Sequence, residues 1–192
     1  MNIGIDIDDT MTNTSELIIE YAKEYFNSDD VELINSILNS KSIEGPLLDF
    51  YNKYLLKMIE NYTLKDNVKE VIDRLRSKGH KIFIITARAY TPMEGVVEAT
   101  EEYFKKHGIS FDGIIFKAIN KRESCVNNKI DVMVDDSVSV AYELRDTNVK
   151  PVLFNSVINE NVQIDVDRID NWIELEKHID RLYGNYKKVL SI

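Results

Sequence analysis

Residues 3–10 of the chain read Ile3-Gly4-Ile5-Asp6-Ile7-Asp8-Asp9-Thr10. A short apolar run, typical of a buried strand, is followed at once by a group of carboxylates. Carboxylates repel one another, so gathering them at a strand end is unfavourable unless a cation lies among them. In open α/β sheets, ligands bind beyond the carboxyl ends of the strands. The stretch therefore predicts a site for a divalent metal and phosphate at the end of the first strand.

Apolar runs rich in β-branched residues predict four buried strands, at residues 2–6, 81–85, 113–116 and 130–134, and residues 151–154 can form a fifth. Helical patterns lie between or after them, at residues 68–78, 93–107, 137–146 and 171–183. Strands that alternate with helices indicate βαβ units, so we predict a Rossmann-like, doubly wound parallel sheet of the α/β class. The acid-rich segment 159–170 is predicted to be a solvated loop.

The chain between the first two predicted strands is too long for a simple crossover. It contains helical patterns at residues 15–26, 31–38 and 47–62. We predict a small helical cap at residues 12–65, over a core domain of residues 1–11 and 66–192. The cap carries the aromatic residues Phe50, Tyr51, Tyr54 and Tyr62. They could stack on a nucleobase, but a stripe at helical spacing is more often core, and we favour core.

Composition limits the partners. The net charge of −9 opposes binding to nucleic-acid polymers and anionic membranes. A small phosphorylated metabolite can still bind, because a metal reverses the local potential. The one cysteine, Cys125, excludes an internal disulfide and suits a reducing cytoplasm. With no secretory leader pattern and no transmembrane-length stretch, we expect a cytoplasmic protein. The sequence leaves the oligomeric state open, a homo-oligomer included.

Reactive side chains adjoin the predicted strand ends in a fixed order. They are Asp6, Asp8 and Asp9, then Thr86 and Arg88, then Lys117, Lys121 and Lys129, and finally Asp135 and Asp136. Hard carboxylate oxygens suit Mg²⁺. A carboxylate can attack a dianionic phosphate only when the charge is neutralised, which requires Mg²⁺ and a cation such as a lysine.

This order of motifs resembles the haloacid dehalogenase-like superfamily, in which an Asp-x-Asp strand end precedes a Ser or Thr, a Lys and an acidic pair. The resemblance covers the sheet as far as Ser137. It implies that Asp6 is the nucleophile, forming an aspartyl-phosphate, and that Asp8 is the general acid and base. It also implies that the helical insert is a type-one cap.

The same resemblance implies the ligands of Mg²⁺ and phosphate. The metal would be held by Asp6, by the backbone carbonyl of Asp8 and by Asp136, with Asp135 as a direct or water-mediated partner. Thr86 would hydrogen-bond a phosphate oxygen, and a lysine would bind phosphate. For that lysine we prefer Lys121, then Lys117, then Lys129.

Three short sequence motifs point to one branch of this superfamily. Gly-Ile-Asp-Ile-Asp-Asp-Thr, Ile-Ile-Thr-Ala-Arg and Val-Met-Val-Asp-Asp-Ser resemble bacterial nucleotidases related to 5′(3′)-deoxyribonucleotidases. This implies a Mg²⁺-dependent phosphomonoesterase of the 5′-nucleotidase type. A phosphatase of sugar or amino-acid phosphates is the alternative.

Other interpretations of these residues stay open at this point. Thr86 could simply cap a helix. Arg88 could bind substrate phosphate or pair with a cap carboxylate. A phosphoacceptor receiver would carry its aspartate after the third strand, where Phe116 and Lys117 offer none. The intact set of motif residues, Asp6, Asp8, Thr86, Lys121 and Asp136, argues against a binding protein that keeps the fold but has lost the catalytic activity.

Overall fold

A computed structural model describes residues 1–38, 40, 42–90 and 93–190, with the side chains of residues 185–190 left out. Its centre is a six-stranded parallel sheet in the order β3-β2-β1-β4-β5-β6. The strands are β1 (Asn2–Ile5), β2 (Lys81–Ile85), β3 (Gly113–Ile115), β4 (Val132–Asp135), β5 (Lys150–Phe154) and β6 (Asp167–Ile169). The predicted α/β class and doubly wound sheet are confirmed.

The strand order reverses direction beside β1, and this reversal decides where a ligand can bind. From β1 the chain first builds outward through β2 and β3, and it then returns to place β4 on the other side of β1. The carboxyl ends of β1 and β4 therefore lie next to each other at the switch point of the sheet. Ligands of doubly wound sheets bind at this crevice.

Eight helices are described around the sheet. They are α1 (Thr14–Phe26), α2 (Val31–Leu38), α3 (Pro46–Asn61), α4 (Val68–Ser77), α5 (Val96–His107), α6 (Lys121–Asn127), α7 (Val138–Glu143) and α8 (Trp172–Leu190). The short α6 was not expected from the sequence. Helix α5 begins later than predicted because Gly95, in the left-handed conformation with φ of 84°, precedes its first turn.

The prediction of a solvated loop over residues 159–170 is wrong. Residues Asp167–Ile169 form β6, which pairs in parallel with β5 at the edge of the sheet. Ile169 is buried, and so is Asn159 in the connection that precedes the strand. A three-residue strand that contains Asp167 and Arg168 has no apolar run, so the sequence pattern conceals it.

Alternate residues of the central strands supply two apolar clusters, one on each face of the sheet. Ile3 and Ile5 of β1 belong to the larger cluster, which also receives residues from α4, α5, α8 and the helical insert. Met133 of β4 and Ile85 of β2 belong to the smaller one, which includes residues of α6 and α7. Burial on both faces explains why these strands are apolar without alternation.

Helices α1–α3 form the insert between β1 and α4. Its two ends are paired: Thr12 and Leu64 form an antiparallel bridge, and the Asn13 N–H donates to the Thr63 carbonyl at 2.9 Å. We call residues 11–13 and 63–65 the neck. The division into a cap of residues 12–65 and a core of the remaining residues stays a prediction, and the neck lies at its proposed boundary.

The aromatic residues of the insert divide into two groups. Phe50 and Tyr54 are buried and stack with Tyr25 and with each other. These two are core, as favoured from the sequence. Tyr51 and Tyr62 line a cavity of about 450 Å³ between the insert and the sheet, and Tyr62 is at the same time buried in the larger core cluster, as favoured from the sequence. None of the described helices is both long and apolar enough to cross a membrane.

Two glycine substitutions should change stability in opposite directions. A Cβ at Gly4 would lie 2.8 Å from Met133 Sδ and 2.9 Å from Ile85 Cδ1, so Gly4→Ala should destabilise the protein by about 1–3 kcal/mol. Gly184 lies in α8, where no described atom beyond the adjacent residues and the backbone of the helix itself is within 4 Å of such a Cβ. Gly184→Ala should stabilise by up to about 1 kcal/mol. Urea unfolding measures both, and a Gly4→Ala variant as stable as the parent would contradict the packing described here.

Candidate active site

The carboxylates predicted from the sequence meet at the switch point. Asp6 directly follows β1, Asp135 is the last residue of β4, and Asp136 follows it. The Asp6 N–H donates to the Val134 carbonyl at 3.0 Å, which continues the strand ladder and fixes the two ends side by side. All three carboxyl groups are buried, and one oxygen of each lies within 4.8 Å of the others.

One lysine joins this cluster. The Lys121 Nζ donates to Asp6 Oδ1 and to Asp135 Oδ2, each at 2.5 Å, and the side chain is buried. Lys121 is the first residue of α6, whose start is capped by the Asn120 side chain, which accepts from the Glu123 N–H at 3.0 Å. Burial disfavours its charge, but the two carboxylates more than compensate and raise the pKa of Lys121 above its usual value.

The other two candidate lysines lie elsewhere. Lys117 is exposed in the loop after β3. Lys129 lines a separate cleft together with Cys125 and Asp131. The structure thus brings Lys121, the preferred candidate, to Asp6, and its role toward phosphate stays a prediction.

The cluster holds more negative charge than Lys121 can neutralise. Burial raises the pKa of Asp6 well above its usual range, against the opposing effect of Lys121. Burial, together with the neighbouring charges of Asp135 and Asp9, raises the pKa of Asp136 to about 7. A divalent cation would relieve this repulsion, and carboxylate oxygens are ligands that such hard cations prefer. The donor set therefore fits a magnesium-like ion.

Asp8 does not share in this cluster and is paired with Arg88 instead. Arg88 Nη2 donates to Asp8 Oδ1 at 2.6 Å and Nε donates to Asp8 Oδ2 at 3.0 Å. Thr14, the first residue of α1, donates to Asp8 Oδ1 at 2.8 Å. Burial alone would raise the pKa of Asp8, but Arg88 and Thr14 outweigh it and lower that pKa. Arg88 thus pairs with the strand-end loop and not with a cap carboxylate.

Thr86 lies just beyond β2 and is fully buried. Its hydroxyl oxygen accepts from the Arg88 N–H at 3.1 Å. Thr86 does not cap a helix, because α5 begins only at Val96. Its role in binding a phosphate oxygen stays a prediction.

Sequence reasoning missed two contacts to Asp136. The Ser156 hydroxyl donates to Asp136 Oδ2 at 3.1 Å, and the Asn159 side chain donates to the Asp136 carbonyl at 2.7 Å. Both residues lie in the connection between β5 and β6, which has no recognisable motif. A clear apolar run at β6 would have predicted a strand there, and with it a connection that folds against the site. The sequence has no such run.

The cavity under the insert extends from the Asp8–Arg88 pair. Its wall is largely apolar and aromatic, with Tyr51, Tyr62, Leu55 and Met93 among the lining residues. The Arg88 guanidinium also lies 5.1 Å from the centre of the Tyr62 ring. The site therefore combines a charged end with an apolar chamber of small-molecule size.

The geometry of the site and a sequence match to nucleotidases define the chain as a phosphoric monoester hydrolase of the haloacid dehalogenase-like superfamily. More closely, it belongs to the family described as "5′ nucleotidase, deoxy (Pyrimidine), cytosolic type C protein", whose sequence model matches residues 1–183. The resemblance inferred from the motifs is confirmed.

Individual relatives agree with this assignment. A nucleotidase of Clostridium acetobutylicum is 29% identical over 191 residues, which cover 95% of each chain. A crystal structure from the same species, described as a predicted phosphatase, has a TM-score of 0.71 at 15% identity and covers 94% of this chain and 98% of its own. A haloacid dehalogenase-like hydrolase of Streptococcus pneumoniae has a TM-score of 0.67 at 15% identity and covers 93% and 97%. The two structures show likeness of fold.

Magnesium chloride should stabilise the protein through the acidic cluster. At about 100 times its Kd, a ligand of the folded state adds about 2.7 kcal/mol, so the melting temperature should rise by several degrees. Asp136→Asn should abolish most of this rise. Without magnesium the same variant should be at least as stable as the parent, because one of the repelling buried charges is gone. Differential scanning calorimetry measures both effects.

The exposed Asp146 offers a matched control, and Asp146→Asn should respond to magnesium as the parent does. An equal magnesium response in the Asp136→Asn variant would show that the ion binds somewhere else.

Proposed function

We propose that this protein is a Mg²⁺-dependent phosphomonoesterase of the 5′-nucleotidase type that works through an aspartyl-phosphate on Asp6. The observation that carries the proposal is the buried arrangement of Asp6, Lys121, Asp135 and Asp136 at the switch point of the sheet. Membership of a nucleotidase family supports the substrate class.

In this proposal the ion is held by the carboxylates of Asp6 and Asp136 and by the backbone carbonyl of Asp8. When bound, Mg²⁺ supplies positive charge that offsets the charge of the phosphate and of the cluster. Both oxygens of Asp135 already accept hydrogen bonds, from Lys121 at 2.5 Å and from the Ser137 N–H at 2.9 Å. This supports a role for Asp135 in orienting Lys121, with any contact to the ion made through water.

The proposed reaction has two steps. An Asp6 oxygen attacks phosphorus, the bond to the leaving oxygen breaks, and Asp8 gives that oxygen a proton. Asp8 then takes a proton from water, and the resulting nucleophile hydrolyses the aspartyl-phosphate to free Asp6 and inorganic phosphate. Lys121 and Thr86 bind phosphate oxygens throughout, and the Lys121 ammonium balances part of their charge.

Arg88 must change partner during this cycle. It engages both carboxylate oxygens of Asp8, and a carboxylate held in this way has no proton to donate. We propose that a substrate in the cavity draws the guanidinium to itself, so that the released Asp8 carboxylate takes up a proton from solvent and can then act as the acid. Arg88 is then the substrate-binding residue that the sequence suggests.

The cavity suits the nucleoside part of a nucleoside monophosphate. Its aromatic wall, with Tyr51 and Tyr62, can stack on a planar base, while its charged end faces the phosphate. A cytoplasmic location belongs to the same proposal, supported by the single cysteine and by membership of a family of cytosolic nucleotidases.

Asp6→Asn tests the nucleophile. The variant should lose phosphate release from an aryl phosphate by on the order of 10³-fold or more, because an amide oxygen cannot form the acyl phosphate. Asp29→Asn, at an exposed position in the loop after α1, should keep full activity. Release of inorganic phosphate with and without magnesium measures the effect. Full activity in a clean Asp6→Asn preparation ends the proposal.

A substrate panel tests the nucleotidase assignment. Nucleoside 5′-monophosphates, deoxypyrimidine forms included, should be hydrolysed faster than sugar or amino-acid phosphates. Tyr51→Leu should raise KM for the nucleotides by about tenfold through lost stacking, and leave hydrolysis of a small phosphate ester nearly unchanged. Tyr142→Leu, at an exposed position on α7, serves as the matched control. Uniformly weak activity on the whole panel would refute the substrate class but not the reaction.

A further inference from the structure

The connection between β5 and β6 contains one residue whose burial is out of keeping with its neighbours. Asn159 is 1% exposed, whereas Val157 and Ile158 just before it are 82% and 66% exposed. A buried amide must have its donors and acceptors satisfied, so the partners of this side chain show what its burial achieves.

The Asn159 side chain reaches the strand end that carries Asp136. Its Nδ2 donates to the Asp136 carbonyl at 2.7 Å and to the Phe154 carbonyl at 2.8 Å. Phe154 ends β5, so this one amide ties together the ends of two neighbouring strands.

A second hydrogen bond from the same connection reaches the carboxylate of Asp136. The Ser156 hydroxyl donates to Asp136 Oδ2 at 3.1 Å, and the Ser156 N–H donates to Asn159 Oδ1 at 3.3 Å. Asp136 is therefore held at both its backbone and its side chain. One carboxylate oxygen of Asp136 is hydrogen-bonded to Ser156, and Asp136 offers a carboxylate oxygen that lies within 4.8 Å of oxygens of Asp6 and Asp135.

Arg168 of β6 holds Asn159 in turn. Its Nη2 donates to Asn159 Oδ1 at 2.8 Å, and its Nε donates to Asn155 Oδ1 at 2.8 Å. The edge strand β6 thus supports the chain of contacts Arg168–Asn159–Asp136, which ends at the acidic cluster.

We infer that Asn159 is a positioning residue that fixes Asp136 in the orientation needed to bind the metal, with Ser156 as its partner. The inference rests on the proposed role of Asp136 as a ligand of Mg²⁺. Groups that orient a metal ligand raise the affinity for the ion because the free site is already arranged, and losing one costs about 10–100-fold in affinity.

Isothermal titration of each purified protein with magnesium chloride tests the inference. Asn159→Ala should weaken magnesium binding by about tenfold or more. Ser156→Ala, which removes one hydrogen bond to the carboxylate, should weaken it by about fivefold. At saturating magnesium the kcat of both variants should return close to that of the parent, because neither side chain lines the cavity proposed for the substrate. A purely structural role would not produce this separation of metal affinity from kcat.

Asn161 gives the matched control. It lies in the same connection and is exposed. Within the part of the chain that the structure describes, its side-chain amide donates a hydrogen bond to the neighbouring Glu160 and to no other residue. Asn161→Ala should leave the magnesium affinity within about twofold of the parent. Melting curves in EDTA establish that each variant is folded before it is titrated.

The outcomes separate this inference from the proposed function. A folded Asn159→Ala protein that binds magnesium as tightly as Asn161→Ala overturns the inference alone. Should Asn159→Ala not fold, Ser156→Ala decides, and an unchanged affinity in that variant overturns it equally. If the unsubstituted protein binds no magnesium, the proposed function and the inference both fail.

Discussion

The candidate site depends on an excess of negative over positive charge at the ends of β1 and β4. Of three buried carboxyl groups, those of Asp6 and Asp135 bind the ammonium of Lys121 and that of Asp136 does not, and burial raises the pKa of both Asp6 and Asp136. The carboxylates repel one another, so it is the pairing of β1 with β4 in the sheet that holds them close together. The apolar clusters on its two faces supply the stability that offsets this repulsion. A site assembled against its own electrostatics suits a divalent cation, and this follows from packing as much as from the acids themselves.

The sequence predicts the centre of this arrangement well. Asp6 and Asp135 end apolar runs that can only be buried strands, and the rule for doubly wound sheets places such ends together. Lys121 was preferred by resemblance, and its position at the start of α6 brings it to both acids. These features depend on strands with strong patterns, which are the elements that a single sequence reveals most clearly.

The surroundings of the centre could not be predicted, for physical reasons. The pairing of Asp8 with Arg88 depends on the path of the chain after β2, which no periodicity encodes. Strand β6 is short and polar, and its stability comes from pairing with β5 and from the contacts of Arg168. Asn159 appears in the sequence as one polar residue among many. Its burial results from the tertiary fold, so only the structure distinguishes it from Asn161.

The hydrogen bond from Thr14 to Asp8 has a consequence for anyone who engineers this enzyme class. Thr14 is the first residue of the insert's first helix, and Asp8 belongs to the strand-end loop of the sheet. The segment that forms the roof of the cavity is therefore attached directly to the proposed proton donor. Swapping or redesigning that roof to obtain a new specificity will alter turnover as well, so selectivity and speed in this scaffold must be optimised jointly.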